Sequence, residues 1–505
     1  MRMKRNTKLL RSAALALIST LALSTAGYAQ EQAIFTVNPE CEALSREETQ
    51  TMVDNAAGAF YQDQGLKEEL QSEITQVHEV VPTEEYPAEE REFYILDHNG
   101  KSMRFFMDII GNPDESGRYP LYITLHGGGG GPAEGNNDQW IDMAQYYKTS
   151  VENGIYIACR GITDTWDLHF QDDSYPLYDR LIEAMVVNYG ADPDRVYLLG
   201  FSAGGDGVYQ ISPRLTDRFA AVNMSSGHPN GVSLRNLADC PISLQAGIRD
   251  YYSEDTLRSV RAAEFEKTLS GFHDEYGFGY EHRVCIHVPA GHNYTDYMDE
   301  ESMVLKDPSQ FAERAVPEDM LGTFLEVMEN CGLGDNGDVT MLSYYPAGED
   351  EAFDSGITDA VTDTFGLETT PVNANAVRYV SQFTRNAAPE KIVWDLSTRA
   401  SEREKAAFYW LEADPSVDKG IITAEYDAST NTIAVEPDAD VNGDFAILFH
   451  PALVDVSKPV TIKTGTAERM VQVNPSEDFL KDSILENGDP RLACVGKIMY
   501  SDVVS

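Results

Sequence analysis

Six short, nearly continuous apolar runs constrain this chain more than any other feature. Leu121 to Leu125, Ile155 to Cys159, Val196 to Leu199, Ala220 to Met224, Ile242 to Ala246 and Arg283 to Val288 are each of strand length. Helix-length stretches such as LYDRLIEAMVVNY separate them. A strand with one wet face alternates apolar and polar residues, whereas a strand apolar throughout is buried on both faces. Both faces are covered only if the connections are helices that pack back on the sheet, so the pattern predicts an α/β fold with a mostly parallel sheet. Upstream, REFYIL and SMRFFMDII flank Asp97-His98-Asn99-Gly100. Asn-Gly between two strand-like runs predicts a hairpin.

At 505 residues the chain exceeds what one ordinary core supports. Residues 1–29 are expected to be a signal peptide: Arg2, Lys4, Arg5, Lys8 and Arg11 precede an apolar run from Ala13 to Leu23, too short to span a bilayer. Cleavage is expected before Gln30, giving an exported protein, periplasmic or extracellular. Residues 30–86 read as an N-terminal helical segment, 87–300 as the α/β domain that carries chemistry, and 301–388 as a mixed helical connection. From 389 to 505 the text turns to short runs such as KIVWDL, GIITAEYD and FAILFH at turn-separated intervals, which predicts an antiparallel, sandwich-like β domain. With 83 acidic against 38 basic residues, the net charge of −45 argues against nucleic acid or an anionic membrane as a partner. Of six cysteines, Cys159 and Cys285 lie in apolar runs and read as buried thiols; Cys41, Cys240, Cys331 and Cys494 are the bridge candidates.

The stretch VYLLGFSAGGDG places Ser202 between a strand and a helix with glycines two positions either side. A serine hydroxyl is a poor nucleophile unless its oxygen is presented on a sharp turn and a base takes its proton. Such a turn needs small neighbours, and the next amide, of Ala203, then points at a developing oxyanion. A second donor is expected from LYITLHGGGGG, where Gly127 and Gly128 follow a buried strand; no Lys-Ser/Thr follows, so a phosphate-binding loop fits poorly. An acid and a histidine should come later, in that order. Asp250 follows the strand in CPISLQAGIRD, which ends at Gly247, with Glu254 and Asp255 as rivals, and His292 is released onto a loop by PAGHNY, whereas His287 lies inside its strand. Trp166, His169 and Phe170 in RGITDTWDLHF, with Asp206, Tyr209, Tyr251 and Tyr294, are the candidates for lining a substrate pocket. The stretch DADVNGD, Asp438 to Asp444, has calcium-loop spacing at its start but Phe449 at the twelfth position, and reads as an acidic hairpin turn rather than a metal site. No cofactor is expected.

LHGGGGG, GFSAGGDGVYQ, AGIRD and PAGHNY together resemble the exported α/β-hydrolase superfamily, over roughly residues 90 to 297. The nearest likeness is to prolyl-oligopeptidase-like, dienelactone-hydrolase-like and polyhydroxybutyrate-depolymerase-like esterases. That resemblance implies a Ser202–Asp250–His292 triad, an oxyanion hole from Gly127, Gly128 and Ala203, and hydrolysis of a small-molecule or polymer ester. A peptidase of prolyl-oligopeptidase type would use the same residues, but the short N-terminal segment has no room for its β-propeller. A non-catalytic polymer- or glycan-binding protein with a hydrolase-like shell is the third reading.

Overall fold

The computed structural model describes residues 34–247, 250, 258–288, 292, 339–343, 375–399, 405–465 and 467–505. The expected signal peptide, Cys331, Glu254, Asp255 and nearly all of the expected helical connection lie outside them. Residues 34–505 form one compact unit.

A short strand, β1 (Phe35–Val37), opens the chain, and the main sheet then takes ten strands: β2 (Ile74–Val80), β3 (Glu90–His98), β4 (Lys101–Ile110), β5 (Tyr119–Leu125), β6 (Gly154–Cys159), β7 (Ala191–Phe201), β8 (Ala221–Ser225), β9 (Ile242–Gly247), β10 (His282–Val288) and β11 (Val339–Ser343). Their spatial order is β2-β3-β4-β6-β5-β7-β8-β9-β10-β11. Pairing is antiparallel from β2 to β6 and parallel from β6 onward. All six predicted runs are strands of its parallel part. The predicted hairpin joins β3 to β4, with Asn99 and Gly100 both at positive φ, the backbone a two-residue turn between twisted strands requires.

The helices explain why the strands are apolar on both sides. They are α1 (Arg46–Gln62), α2 (Gln64–Glu73), α3 (Ala133–Tyr146), α4 (Ser174–Asn188), α5 (Ala203–Ile211) and α6 (Arg258–Tyr276). Leu121, Ile123 and Leu125 of β5 enter one buried cluster with Leu181 and Met185 of α4 and Val208 of α5. Tyr122 of the same strand enters another with Tyr197 of β7 and Trp140 and Met143 of α3. Alternate side chains thus meet helices on opposite faces.

The stretch from 391 forms two further sheets. One has six strands in the order β1-β19-β18-β16-β15-β12, where β12 is Lys391–Asp395, β15 Ile421–Asp427, β16 Thr432–Pro437, β18 Val460–Lys463 and β19 Glu468–Val473; the other joins β13 (Ala407–Phe408), β14 (Leu411–Ala413), β17 (Phe445–Leu448) and β20 (Lys497–Met499). Trp394 of β12 stacks on Phe408 of β13, ring centroids 5.4 Å apart, so the two sheets pack face to face. Two features differ from the sequence expectation. The sheet is mixed, because β16–β18 and β1–β19 are parallel pairs. The N-terminal segment is also not purely helical, since it supplies β1 to this sheet and β2 to the main one. A buried ion network fastens the region to the core: Arg218 pairs with Asp179 (2.9 Å) and Asp489 (3.4 Å), and Arg385 with Asp489 (2.8 Å) and Asp194 (2.8 Å). The bridge candidates Cys41, Cys240 and Cys494 are free thiols, and burial raises the pKa of the last two. Among the described residues no helix is long and apolar enough to cross a membrane.

Candidate active site

Ser202 occupies the turn between β7 and α5 with φ 56° and ψ −119°, a backbone that costs a non-glycine residue roughly 1–3 kcal/mol and persists only where neighbours enforce it. The enforcement is visible. Ser202 N–H donates to the Ser225 carbonyl at 2.9 Å, tying the turn to the end of β8, and the Ser202 carbonyl accepts the first helical bond, from Asp206 N–H at 3.0 Å. The side chain is half-buried, and its Oγ lies 2.8 Å from His292 Nε2. His292 Nδ1 lies 2.9 Å from Asp250 Oδ1. Asp250 is 1% exposed, and Arg258 at the start of α6 approaches the same oxygen at 3.4 Å. Ser226, itself at φ 50°, donates its hydroxyl to the His292 carbonyl at 3.1 Å and so helps fix the histidine's backbone. The structure brings Ser202, His292 and Asp250 into one hydrogen-bonded row.

The glycine loop after β5 lies against the serine. A Cβ on Gly127 would stand 3.2 Å from Ser202 Cβ. The N–H groups of Gly127, Gly128 and Ala203 take no protein acceptor among the described residues, whereas Gly129 N–H donates to Asn136 Oδ1 at 2.7 Å. The loop's orientation comes from two buried histidines. Gly161 N–H donates to His126 Nε2 at 3.1 Å, which leaves the His126 proton on Nδ1, donated to the Gly127 carbonyl at 2.5 Å. Across a trans peptide the Gly128 N–H then points the opposite way from that carbonyl. His169 Nε2–H donates in turn to the His126 carbonyl at 2.9 Å. Sequence reasoning missed Asn136 and Arg160. Arg160, 2% exposed, donates to Asn137 Oδ1 (2.9 Å) and to the carbonyls of Gly161 (3.0 Å) and Thr163 (3.1 Å), and pairs with Asp164, locking the loop that overhangs the glycines.

A second missed feature lies beneath the serine. His287 Nε2, Gln245, Asn223, Ser225 Oγ, Tyr147 Oη and the Gly200 carbonyl form a buried chain with successive separations of 2.9, 2.9, 2.9, 3.0 and 3.2 Å. It runs from β10 across β9 and β8 to the last turn of β7. His287 Nε2–H donates to Gln245 Oε1, Gln245 Nε2–H to Asn223 Oδ1 and Asn223 Nδ2–H to Ser225 Oγ, while from the other end the Tyr147 hydroxyl is shared between Ser225 Oγ and the Gly200 carbonyl. The sequence did carry a signal, because a polar residue inside a strand buried on both faces must be hydrogen-bonded. Tyr147→Phe keeps the ring and removes the buried hydroxyl that donates to Ser225 Oγ and the Gly200 carbonyl. It is expected to lower stability by about 1–3 kcal/mol, read from the urea midpoint.

Several pocket candidates are placed elsewhere. His169 and Tyr209 are both 0% exposed, the first spent on the His126 carbonyl, the second on the face of α5 that packs against Phe265 of α6, with ring centroids 5.2 Å apart; neither faces a ligand. Asp206 accepts from His228 N–H (2.6 Å) and Asn230 Nδ2 (3.0 Å), so its carboxylate ties α5 to the loop after β8, and burial raises its pKa. His287 is buried and bonded to Gln245, away from Ser202. Trp166 is exposed beside the half-buried Phe170. Tyr251 and Tyr294 lie outside the described residues.

Burial depresses the pKa values of His126, His169 and His287, that of His169 to about 3. A histidine with a depressed folded pKa stabilises nothing extra above the unfolded value of about 6.5 and costs stability below it, because the unfolded chain gains protons that the fold cannot take. Each costs about 1.4 kcal/mol per pH unit below that value. The carboxyls of Asp206, Asp217 and Asp239, which burial pushes up, that of Asp239 to about 7, act in the opposite sense. Stability should therefore fall between pH 6 and pH 5 by less than the ~4 kcal/mol of the three histidines alone. Urea midpoints at pH 7, 6 and 5 check this; a midpoint at pH 5 equal to that at pH 7 would contradict it.

A mainly parallel sheet in this order, with a strained serine on the turn after a central strand and an acid and a histidine beyond later strands, is the α/β-hydrolase fold. No family model matches the chain. One curated relative, the bifunctional acetylxylan esterase/xylanase XynS20E of Neocallimastix patriciarum, is 32% identical over 114 residues, which are 22% of this chain and 16% of that protein. The matched stretch thus spans about a sixth of the relative's length. Solved structures similar to the chain include a thermostable esterase (20% identity over 45% of this chain and 57% of that one, TM-score 0.29), the esterase PE8 (20% identity, 37% and 92%, TM-score 0.26) and an S-formylglutathione hydrolase from Agrobacterium tumefaciens (13% identity, 44% and 92%, TM-score 0.31).

Proposed function

We propose that this chain is an exported serine hydrolase that cleaves carboxylic esters through an acyl-enzyme. The observation that carries the reading is the row Ser202 Oγ–His292 Nε2–Asp250, at 2.8 and 2.9 Å. In this mechanism His292 Nε2 takes the Ser202 proton as Oγ attacks the ester carbonyl. Asp250 accepts the Nδ1–H bond, holds the imidazole in the tautomer that leaves Nε2 free, and stabilises the imidazolium that forms. The free amides of Ala203 and of Gly127 or Gly128 hold the tetrahedral oxyanion. His292 returns the proton to the leaving alcohol; water then attacks the acyl-serine by the same route and releases the acid. The limited relative that carries an acetylxylan esterase name supports an ester over a peptide substrate.

The test is labelling of the folded protein by a fluorophosphonate, alongside hydrolysis of p-nitrophenyl acetate and of Xaa-Pro p-nitroanilides. Labelling with acetate release and little anilide cleavage supports the reading. Anilide cleavage as the dominant activity moves it to a peptidase, and absence of both labelling and turnover leaves a binding protein with a hydrolase shell.

A further inference from the structure

Of the four tryptophans, Trp140, Trp394 and Trp410 are 0–3% exposed, but Trp166 is 56% exposed. A singly exposed apolar side chain is ordinary on a protein surface; what distinguishes this one is its place on a braced loop against the glycine loop. The support here is rigid. Arg160 grips the Gly161 and Thr163 carbonyls from below, Gly130 N–H donates to the Asp164 carbonyl at 2.9 Å, and Ile162 N–H to the Leu168 carbonyl at 3.0 Å. Phe170 meets the indole edge-on, centroids 5.3 Å apart at 75°.

The loop that carries Trp166 also packs on the glycine loop next to the serine. Gly127 lies against Ser202, and a Cβ on Gly129, two residues further, would be 3.2 Å from Trp166 Cα. Two residues span at most ~7 Å, which keeps the Trp166 Cα within roughly 12 Å of Gly127, the reach of a sugar ring or two from an ester held by the glycine loop. Its surroundings are polar: Thr163 and Thr165 hydroxyls lie 2.6 Å apart, and Gln171 Nε2 reaches Thr165 at 3.2 Å.

Resting on the ester-hydrolysis reading, we infer that Trp166 is a stacking platform for a neutral pyranose ring, so that the ester is borne on carbohydrate. A pyranose has an apolar C–H face, attracted to the electron-rich face of the indole, and a rim of hydroxyls for Thr163, Thr165 and Gln171 to meet. A lipid acyl chain would need a continuous apolar wall, whereas in the loop that carries Trp166 the half-buried Ile162 and Phe170 are interrupted by Thr163, Asp164, Thr165 and Asp167. An anionic sugar is disfavoured by the net charge of −45. Because the loop is already braced, little ordering entropy is lost when the ring docks.

The experiment compares wild type, Trp166→Ala and Trp166→Phe on acetylated xylo-oligosaccharide, vinyl acetate and methyl ferulate in a pH-stat. Trp166→Ala should raise KM for the oligosaccharide about tenfold, with kcat nearly unchanged and Trp166→Phe intermediate. Its kcat/KM for vinyl acetate, which has no ring to stack, should stay within about twofold of wild type. Equal losses on vinyl acetate and oligosaccharide, a loss on methyl ferulate alone, or no loss on any substrate overturns the platform. If wild type cleaves no ester, the ester reading falls by itself. Quenching of tryptophan fluorescence by unesterified xylo-oligosaccharide, present in wild type and absent in Trp166→Ala, then still decides whether the indole takes a sugar ring.

Discussion

Ser202→Ala is expected to lower kcat on p-nitrophenyl acetate by about a millionfold, leave KM within a few-fold, and abolish fluorophosphonate labelling. The split follows from where the hydroxyl acts. Oγ forms a bond only on the way to the tetrahedral intermediate, so its removal cancels stabilisation of the transition state and little ground-state binding. Fold should survive, because the turn is held by Ser202 N–H on the Ser225 carbonyl and by the Asp206 bond, both backbone contacts that alanine keeps. The residual rate would come from the glycine-loop and Ala203 amides, which the substitution leaves untouched. An unchanged circular dichroism spectrum and urea midpoint separate lost chemistry from lost structure. A variant that still turns over within tenfold of wild type would remove Ser202 from the mechanism.

The parallel core was legible because burial on both faces leaves an unambiguous trace: six runs in which polar letters are rare, each a strand in the fold. The candidate site was legible for a related reason. Gly200-Phe201-Ser202-Ala203-Gly204, His126 to Gly131, Asp250 and His292 each sit where a strand gives way to a turn, and strand ends are what apolar runs delimit best. Side-chain direction was not legible. Tyr209 follows Ser202 by seven residues and His169 follows Trp166 by three, yet both are fully buried while Trp166 is not. Tyr209 in fact shares a helix with the buried Val208 and Ile211, an apolar stripe that places it inward.

What escaped the sequence altogether is pairing between distant segments. Phe35 to Val37 shows no sign that its partner is Glu468–Val473, and Val339–Ser343 reads as part of a mixed connection until β10 is there to pair with it. Register of this kind is decided by what else is left uncovered once the core has formed. The polar chain from His287 to Tyr147 is an intermediate case: Asn223, Gln245 and His287 are visible as misfits in apolar strands, but that they are one another's partners follows only from the order β8-β9-β10. Arg160 is similar, a charge at the end of a buried strand whose need for Asn137 and Asp164 could be inferred in kind though not by name.

Gly204→Ala should be among the most damaging single-methyl changes within the described residues. A Cβ there would overlap the Leu125 carbonyl and approach the His126 carbonyl at 2.9 Å, while Gly200 directly opposite has its own Cβ direction blocked by the Gly204 carbonyl. The end of β7, the start of α5 and the end of β5 therefore touch through backbone alone, and no rotamer change relieves a clash with a carbonyl. Room for the methyl requires α5 to lift off β5, which loosens the contacts that hold Ser202 at positive φ and moves Ala203 away from Gly127. The expected cost is about 4 kcal/mol or more, at the extreme of single substitutions, with loss of activity in whatever fraction folds. Gly58→Ala supplies the opposite sign from the same added atom. Gly58 is inside α1, nothing lies within 4 Å of its Cβ position, and its φ is not positive. Removing glycine's extra freedom from the unfolded chain should there stabilise by about 0.5–1 kcal/mol. Paired urea titrations read both, and a Gly204→Ala midpoint close to that of wild type would mean that the elbow yields where the backbone contacts require it to be rigid.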